Sequence, residues 1–288
     1  MNSRFFPIVA LWAVSLPACV SYVAESQQDS SSEVTPERAM GFLTPTEVSN
    51  LREKAERGDA NAEFMLGYLD EHGKGIAKDY GLALAYYRSA AQQGHASAAN
   101  NLAAMYQRGQ GVPKNLKEAS KWYRMAADQG SATAQCNLAS LYFSDKGAAR
   151  DYHEAARWFR AAAEQGLAVA QSNLGVMYYS GMGVPKDFVQ SADWTRRAAE
   201  QGYMRAQIDL GYLYEQGKGV PLDYVAAYTW YSLAALSGDS QSLARMKSLA
   251  HVMTPTQLGE GQARVSAGAP NNTTRSEPRP TSCLPKQR

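Results

Sequence analysis

The sequence predicts an all-α fold: a right-handed α-solenoid of five 36-residue helix-turn-helix repeats, with an N-terminal half-repeat and C-terminal capping helices. Three observations predict it. Gly58, Gly94, Gly130, Gly166, Gly202 and Gly238 recur at a constant spacing of 36 residues, and a second ladder runs Gly75, Gly111, Gly147, Gly183, Gly219, with no insertion or deletion in either. Ala62, Ala98, Ala134, Ala170 and Ala206 keep the same step, each followed by Leu66, Leu102, Leu138, Leu174 or Leu210. A third column is aromatic: Tyr86, Trp122, Trp158, Trp194 and Trp230. Self-similarity at a fixed period of about 20 to 50 residues marks stacked supersecondary units, each burying its apolar face against the next.

Each unit can be read from its residues. Ala98, Leu102, Met105 and Tyr106 fall at i, i+4, i+7 and i+8, one stripe of an α-helix, here termed helix A. The residue after the leucine is small (Gly67, Ala103, Ala139, Gly175, Gly211), which allows a neighbouring helix to come close. A turn follows, fullest in Gly181-Met182-Gly183-Val184-Pro185-Lys186-Asp187. Asp79, Asn115, Asp151, Asp187 and Asp223 then stand where an N-cap should accept the first backbone N–H groups of a second helix, helix B. Helix B stops at the glycine of the next 36-residue mark. Helices of about 12 residues are marginal alone, so the array must fold through its stacking.

These columns resemble the Sel-one-like repeat family, a relative of the tetratricopeptide repeat with two extra residues in the turn. The residues that carry the resemblance are Ala-x3-Leu-Gly-x2-Tyr at Ala170 to Tyr178, Gly-x-Gly-Val-Pro at Gly217 to Pro221, and Trp-Tyr-x2-Ala-Ala at Trp122 to Ala127. The resemblance spans residues 59–238 as five repeats, 59–94, 95–130, 131–166, 167–202 and 203–238, with a half-repeat helix over 46–58. Asp70 and Thr195 depart from the pattern, each replacing an aromatic residue, as does the third turn at Asp145 to Ala149.

Outside the repeats, residues 1–18 read as an export signal: Arg4 precedes an apolar stretch from Phe5 to Leu16 that is too short to span a bilayer. Leu16-Pro17-Ala18-Cys19 resembles the lipobox of bacterial lipoproteins, which makes Cys19 the lipidation site. Ordinary secretion with cleavage nearby is the alternative. Residues 19–45 read as a flexible tether, 239–267 as capping helices and 268–288 as a proline-rich disordered tail. The expected location is therefore periplasm-facing at the outer membrane, or soluble in the periplasm or medium.

The balance of 29 basic and 27 acidic residues, with no dense basic block, argues against nucleic acid. His72, His95, His153 and His251 fall in different repeat columns, and no His-x3-His or Cys-x2-Cys pair occurs, so no metal site, catalytic set or cofactor is predicted. Cys136 and Cys283 could pair in an oxidising compartment, but the expectation is that they stay separate.

The helix-A face opposite the Ala–Leu stripe is the expected groove, as it is in related repeats. It carries Phe64, Tyr68, Asn100, Gln107, Arg108 and Phe143, then Tyr179, Arg205, Tyr212 and Glu215. The outer face of helix B, with Arg160 and Arg196, is the competing surface. Aromatics beside Arg, Gln and Glu suit recognition of a protein partner, through a peptide or glycan segment. The resemblance implies a non-enzymatic scaffold of envelope assembly, polymer secretion or signalling. A binder or hydrolase of cell-wall fragments or β-lactams is the alternative. Membrane contact is expected only through the N-terminal lipid.

Overall fold

The computed structural model describes residues 43–144 and 150–267. Thirteen α-helices and no strand lie among the described residues, as the repeat pattern requires. The signal segment, Cys19, the tether up to residue 42, the third turn and the tail with Cys283 lie outside them. The chain divides into two compact units, one ending at Ala206 and one beginning at Gln207.

The first unit opens with α1 (Pro45–Glu56), whose Thr44 and Glu47 form a capping box. Helices A follow as α2 (Ala60–His72), α4 (Ala96–Arg108), α6 (Ala132–Phe143) and α8 (Ala168–Ser180). Helices B are α3 (Tyr80–Gln92), α5 (Leu116–Asp128), α7 (Tyr152–Glu164) and α9 (Phe188–Glu200). Each helix A packs on its own helix B, and α3, α5 and α7 pack on the helix A of the following repeat. The predicted N-caps hold: the carboxylates of Asp79, Asp151 and Asp187 and the side-chain oxygen of Asn115 each accept two backbone N–H bonds. The ladder glycine lies one residue past the last cap position, at φ +92° in Gly166, a left-handed conformation that side chains resist.

Burial follows the columns. Leu66, Leu102, Leu138 and Leu174 are closed to solvent, and Trp122, Trp158 and Trp194 are buried on helix B. At Gly67 a Cβ would sit 2.8 Å from the ring of Tyr87, so glycine is what admits that ring. The departure at Thr195 has a counterpart: a Cβ at Gly175 would stand 2.4 Å from Thr195 Oγ1 and 3.2 Å from the Ser191 carbonyl. There the missing aromatic is replaced by close approach of the α8 and α9 backbones. Gly183, at φ +68°, has its Cβ position 1.9 Å from the carbonyl oxygen of Tyr152, so its turn rests directly on the start of the preceding helix B.

Polar links join the repeats in register. Arg88 donates to the Tyr106 hydroxyl at 2.7 Å, Arg124 to that of Tyr142, and Arg160 to that of Tyr178 at 2.7 Å, always 18 residues apart and from helix B to the next helix A. Asp70 takes the tyrosine's place opposite Arg52. Burial and the neighbouring Asp79 raise its carboxyl to about 6, against the pull of Arg52. Gln165 and Gln201 donate to Gln135 and Gln171 at 2.8 Å, and these in turn donate to the carbonyls of Ala127 and Ala163 near the ends of helices B. Glu63, in the same column, accepts from Ser89 and Gln93.

The second unit begins within α10 (Met204–Gln216) and contains α11 (Tyr224–Leu236), α12 (Ser240–Ala250) and α13 (Pro255–Ser266). Both α12 and α13 pack on α11, around Tyr228, Tyr231, Leu249 and Met253. Thr254 and Gln257 form a capping box, and Gly261 lies against the Tyr228 ring. These are the capping helices that the lapse of the period after Gly238 predicts.

Candidate interaction surface

The expected groove residues divide by burial. Phe64 and Tyr179 are 4% and 5% exposed: Phe64 stacks on His95 with centroids 4.6 Å apart, and Tyr179 meets the edge of Phe188 at 5.1 Å. Asn100 is also buried and accepts from Asn137 at 3.0 Å, joining α4 to α6. These three serve packing and are not open anchors, a correction to their sequence assignment. Alternation on a helix face does not say which aromatic turns inward against the next helix.

The others remain at least partly accessible. In the first unit Tyr68, Gln107 and Phe143 are half-buried and Arg108 is exposed, and in the second Tyr212 and Glu215 are half-buried. Arg205, in the first turn of α10, is the one groove candidate that lies at the end of the first unit. Gln107 accepts from the Tyr123 hydroxyl at 2.8 Å, and Phe143 lies 5.1 Å from the Tyr152 ring. Arg108 donates to Glu71 Oε1 at 2.9 Å while the Tyr87 hydroxyl donates to Oε2 at 2.9 Å, so Glu71 is fully engaged. Burial and the Glu71 charge push the Tyr87 hydroxyl well above the usual phenol range, which keeps it a donor. Tyr68 stacks on His72 at 4.1 Å and carries the Lys74 ammonium, 5.4 Å from its ring centroid and 3.4 Å from its hydroxyl. Helix-face counting misses Lys74 and Lys218 because they lie in the turns, beyond the helices whose faces define the groove.

One other expectation changes. The helical count puts Arg160 on the outer face of helix B, yet it bridges to Tyr178 of the next repeat. Cys136 is buried in α6 and disulfide-bonded, and Cys19 and Cys283 both lie outside the described residues, so the expected separation of Cys136 from Cys283 falls outside them as well. Among histidines, His95 is structural. Its Nδ1 caps α4 by accepting from Ala98, and burial lowers its basicity, favouring the neutral ring that an acceptor must be. No cluster of three metal-ligating residues occurs among the described residues, and no described helix is long and apolar enough to cross a membrane.

Comparison with known proteins agrees with this fold. The chain shares 38% identity and a TM-score of 0.71 with a protective antigen of uropathogenic Escherichia coli that displays an SLR fold, over 76% of this chain and 47% of that one. It therefore spans about half the length of that antigen. A Sel1 repeat protein from Oxalobacter formigenes is 31% identical with a TM-score of 0.67, over 77% of this chain and 93% of that one. No curated protein matches the sequence. The Sel1 repeat matches residues 60–95, 96–131, 132–167, 168–203 and 205–239, within one or two residues of the sequence boundaries, and the chain belongs to the Sel1 repeat family.

Proposed function

We propose that this protein is a non-catalytic scaffold of the bacterial cell envelope, exported and anchored by lipid at Cys19, which holds a partner protein against the helix-A side of its repeats. Proteins of the Sel1 repeat family act in general as protein–protein interaction scaffolds and are typically non-enzymatic. The observation that carries the proposal is the contrast between columns. The Ala–Leu columns are sealed and nearly invariant across the repeats, while the adjacent helix-A columns change from repeat to repeat and leave Tyr68, Gln107, Arg108 and Phe143 accessible. Where these variable columns are accessible, their variation suits recognition, because stacking does not constrain it there. The anchoring part rests on the signal-like residues 1–18 and the lipobox-like Leu16 to Cys19.

The test is capture from detergent-solubilised envelope by the full chain. A specific partner should be retained by the parent and lost with the double variant Tyr68→Ala, Phe143→Ala, whose helical circular dichroism should stay at the parent level. Retention by that variant would place the binding surface elsewhere. Cys19→Ser should abolish lipid labelling and membrane fractionation; unchanged fractionation would remove the anchor from the proposal.

A further inference from the structure

One constellation occurs twice in the chain. In the first repeat Tyr68, Glu71, Lys74 and Tyr87 stand together, and Arg108 from α4 closes on Glu71. Four repeats later the same columns read Tyr212, Glu215, Lys218 and Tyr231. There the Tyr231 hydroxyl donates to Glu215 at 2.7 Å, Arg245 donates to the same carboxylate at 2.9 Å, and Lys218 lies 3.5 Å from the Tyr212 hydroxyl and 5.4 Å from its ring centroid. The two arginines come from different repeat columns and reach the same point, so copying of the repeat alone does not explain the match. In the three repeats between, the tyrosine column holds Ala104, Ser140 and Val176, and the glutamate column Gln107, Phe143 and Tyr179.

The chemistry of the first copy is open on one side. Tyr87 and Arg108 occupy both oxygens of Glu71, so that charge is spent. Lys74 has no carboxylate within ion-pair distance among the described residues, and its ammonium and the Tyr68 hydroxyl lie 3.4 Å apart. A phenol oxygen that accepts from an ammonium still has its own proton to donate, so Lys74 and Tyr68 present two donors side by side, the arrangement that matches the two oxygens of a carboxylate. Against this pair, His72 stacks on the Tyr68 ring, and the nearby Glu71 is already paired with Arg108. With Glu71 paired to Arg108, the Lys74 ammonium is the charge this pair presents.

We infer that the Tyr68–Lys74 pair is an anchor for a carboxylate side chain, and that the partner presents an acidic segment to the helix-A side there. This rests on the scaffold reading above and names the class of its partner. The experiment uses the full chain, a short fluorescein-labelled peptide rich in Glu and Leu, and the same peptide with Gln for Glu. Lys74→Gln and Tyr68→Phe should each weaken binding of the acidic peptide about ten-fold, as loss of a charge-assisted bond does, with melting temperature unchanged. The Gln peptide should bind worse than the acidic one, and added salt should narrow the gap. Equal affinity for the two peptides, parent-like binding by both variants, or tighter and equally variant-sensitive binding of an oligo-uronate would overturn the acidic-protein assignment. If a captured partner is lost with Phe143→Ala but kept with Lys74→Gln, the carboxylate anchor fails while the groove survives. A partner kept by all of these variants removes the groove itself.

Discussion

The guanidinium of Arg160 reaches out of one repeat to the hydroxyl of Tyr178 in the next, 2.7 Å away, and Arg88 does the same to Tyr106. The bond crosses the seam between neighbouring repeats, so it should couple them. In a double-mutant cycle, Arg160→Ala and Tyr178→Phe should show an interaction of about 1 kcal/mol, the scale of a partly exposed charge-assisted bond. Strictly additive losses in urea unfolding would show that the pair is a surface contact without energetic weight.

At the N-terminal end of the same series, Asp70 replaces the tyrosine and titrates near 6 through burial and the Asp79 charge. A carboxyl raised in the folded state costs stability above its folded value, and the cost is relieved as pH falls through about 6 toward its ordinary 3.8. Asp70→Asn should therefore melt higher than the parent at pH 7.5, with the difference shrinking toward pH 4. A constant difference across that range would mean that the substitution acts by packing.

Gly183 and Gly166 separate two penalties. Both have positive φ, but a Cβ on Gly166 meets nothing within 4 Å while one on Gly183 collides with the Tyr152 carbonyl. Gly166→Ala should cost about 1 to 2 kcal/mol, the strain of the left-handed backbone alone. Gly183→Ala should cost at least ~3 kcal/mol, because helix B of the preceding repeat must move as well. Urea midpoints that do not separate the two would contradict the close approach.

Leu138 and Ser140 lie two residues apart on α6, one closed to solvent and one half-exposed. Leu138→Asp buries an unpaired charge and should cost several kcal/mol, on the order of 4, whereas Ser140→Asp should stay within about 1. Similar melting temperatures for these variants would reverse the assigned faces of helix A.

These cases also mark what could be read from the chain alone. The glycine ladders, Asp and Asn caps, Ala–Leu stripe and terminal helices were legible because backbone geometry leaves few residue types for those positions. The surface was legible only in part. Tyr68 and Tyr179 fall in columns three residues apart, yet one carries a lysine at the surface and the other packs on Phe188, and that choice depends on neighbours in three dimensions. The 18-residue Arg–Tyr step was present in the sequence, but helix-face counting within single repeats hides a bond that crosses between them. Glu71 could be seen as polar, but its neutralisation by Arg108 needs the distance between α2 and α4.

The aromatic column of helix B gives the repeats their own optical readout. Trp122, Trp158, Trp194 and Trp230 are all buried, and the first repeat carries Tyr86 in their place. Indole emission shifts to the red on exposure to water, so the fluorescence of these four follows the second to fifth repeats and is blind to the first. Arg157 and Arg197 lie 4.4 Å from the ring centroids of Trp158 and Trp194, and Lys121 6.0 Å from that of Trp122. The indoles thus start from unequal electrostatic surroundings, and fraying that begins at the N-terminal repeat would be registered by circular dichroism before any change in colour.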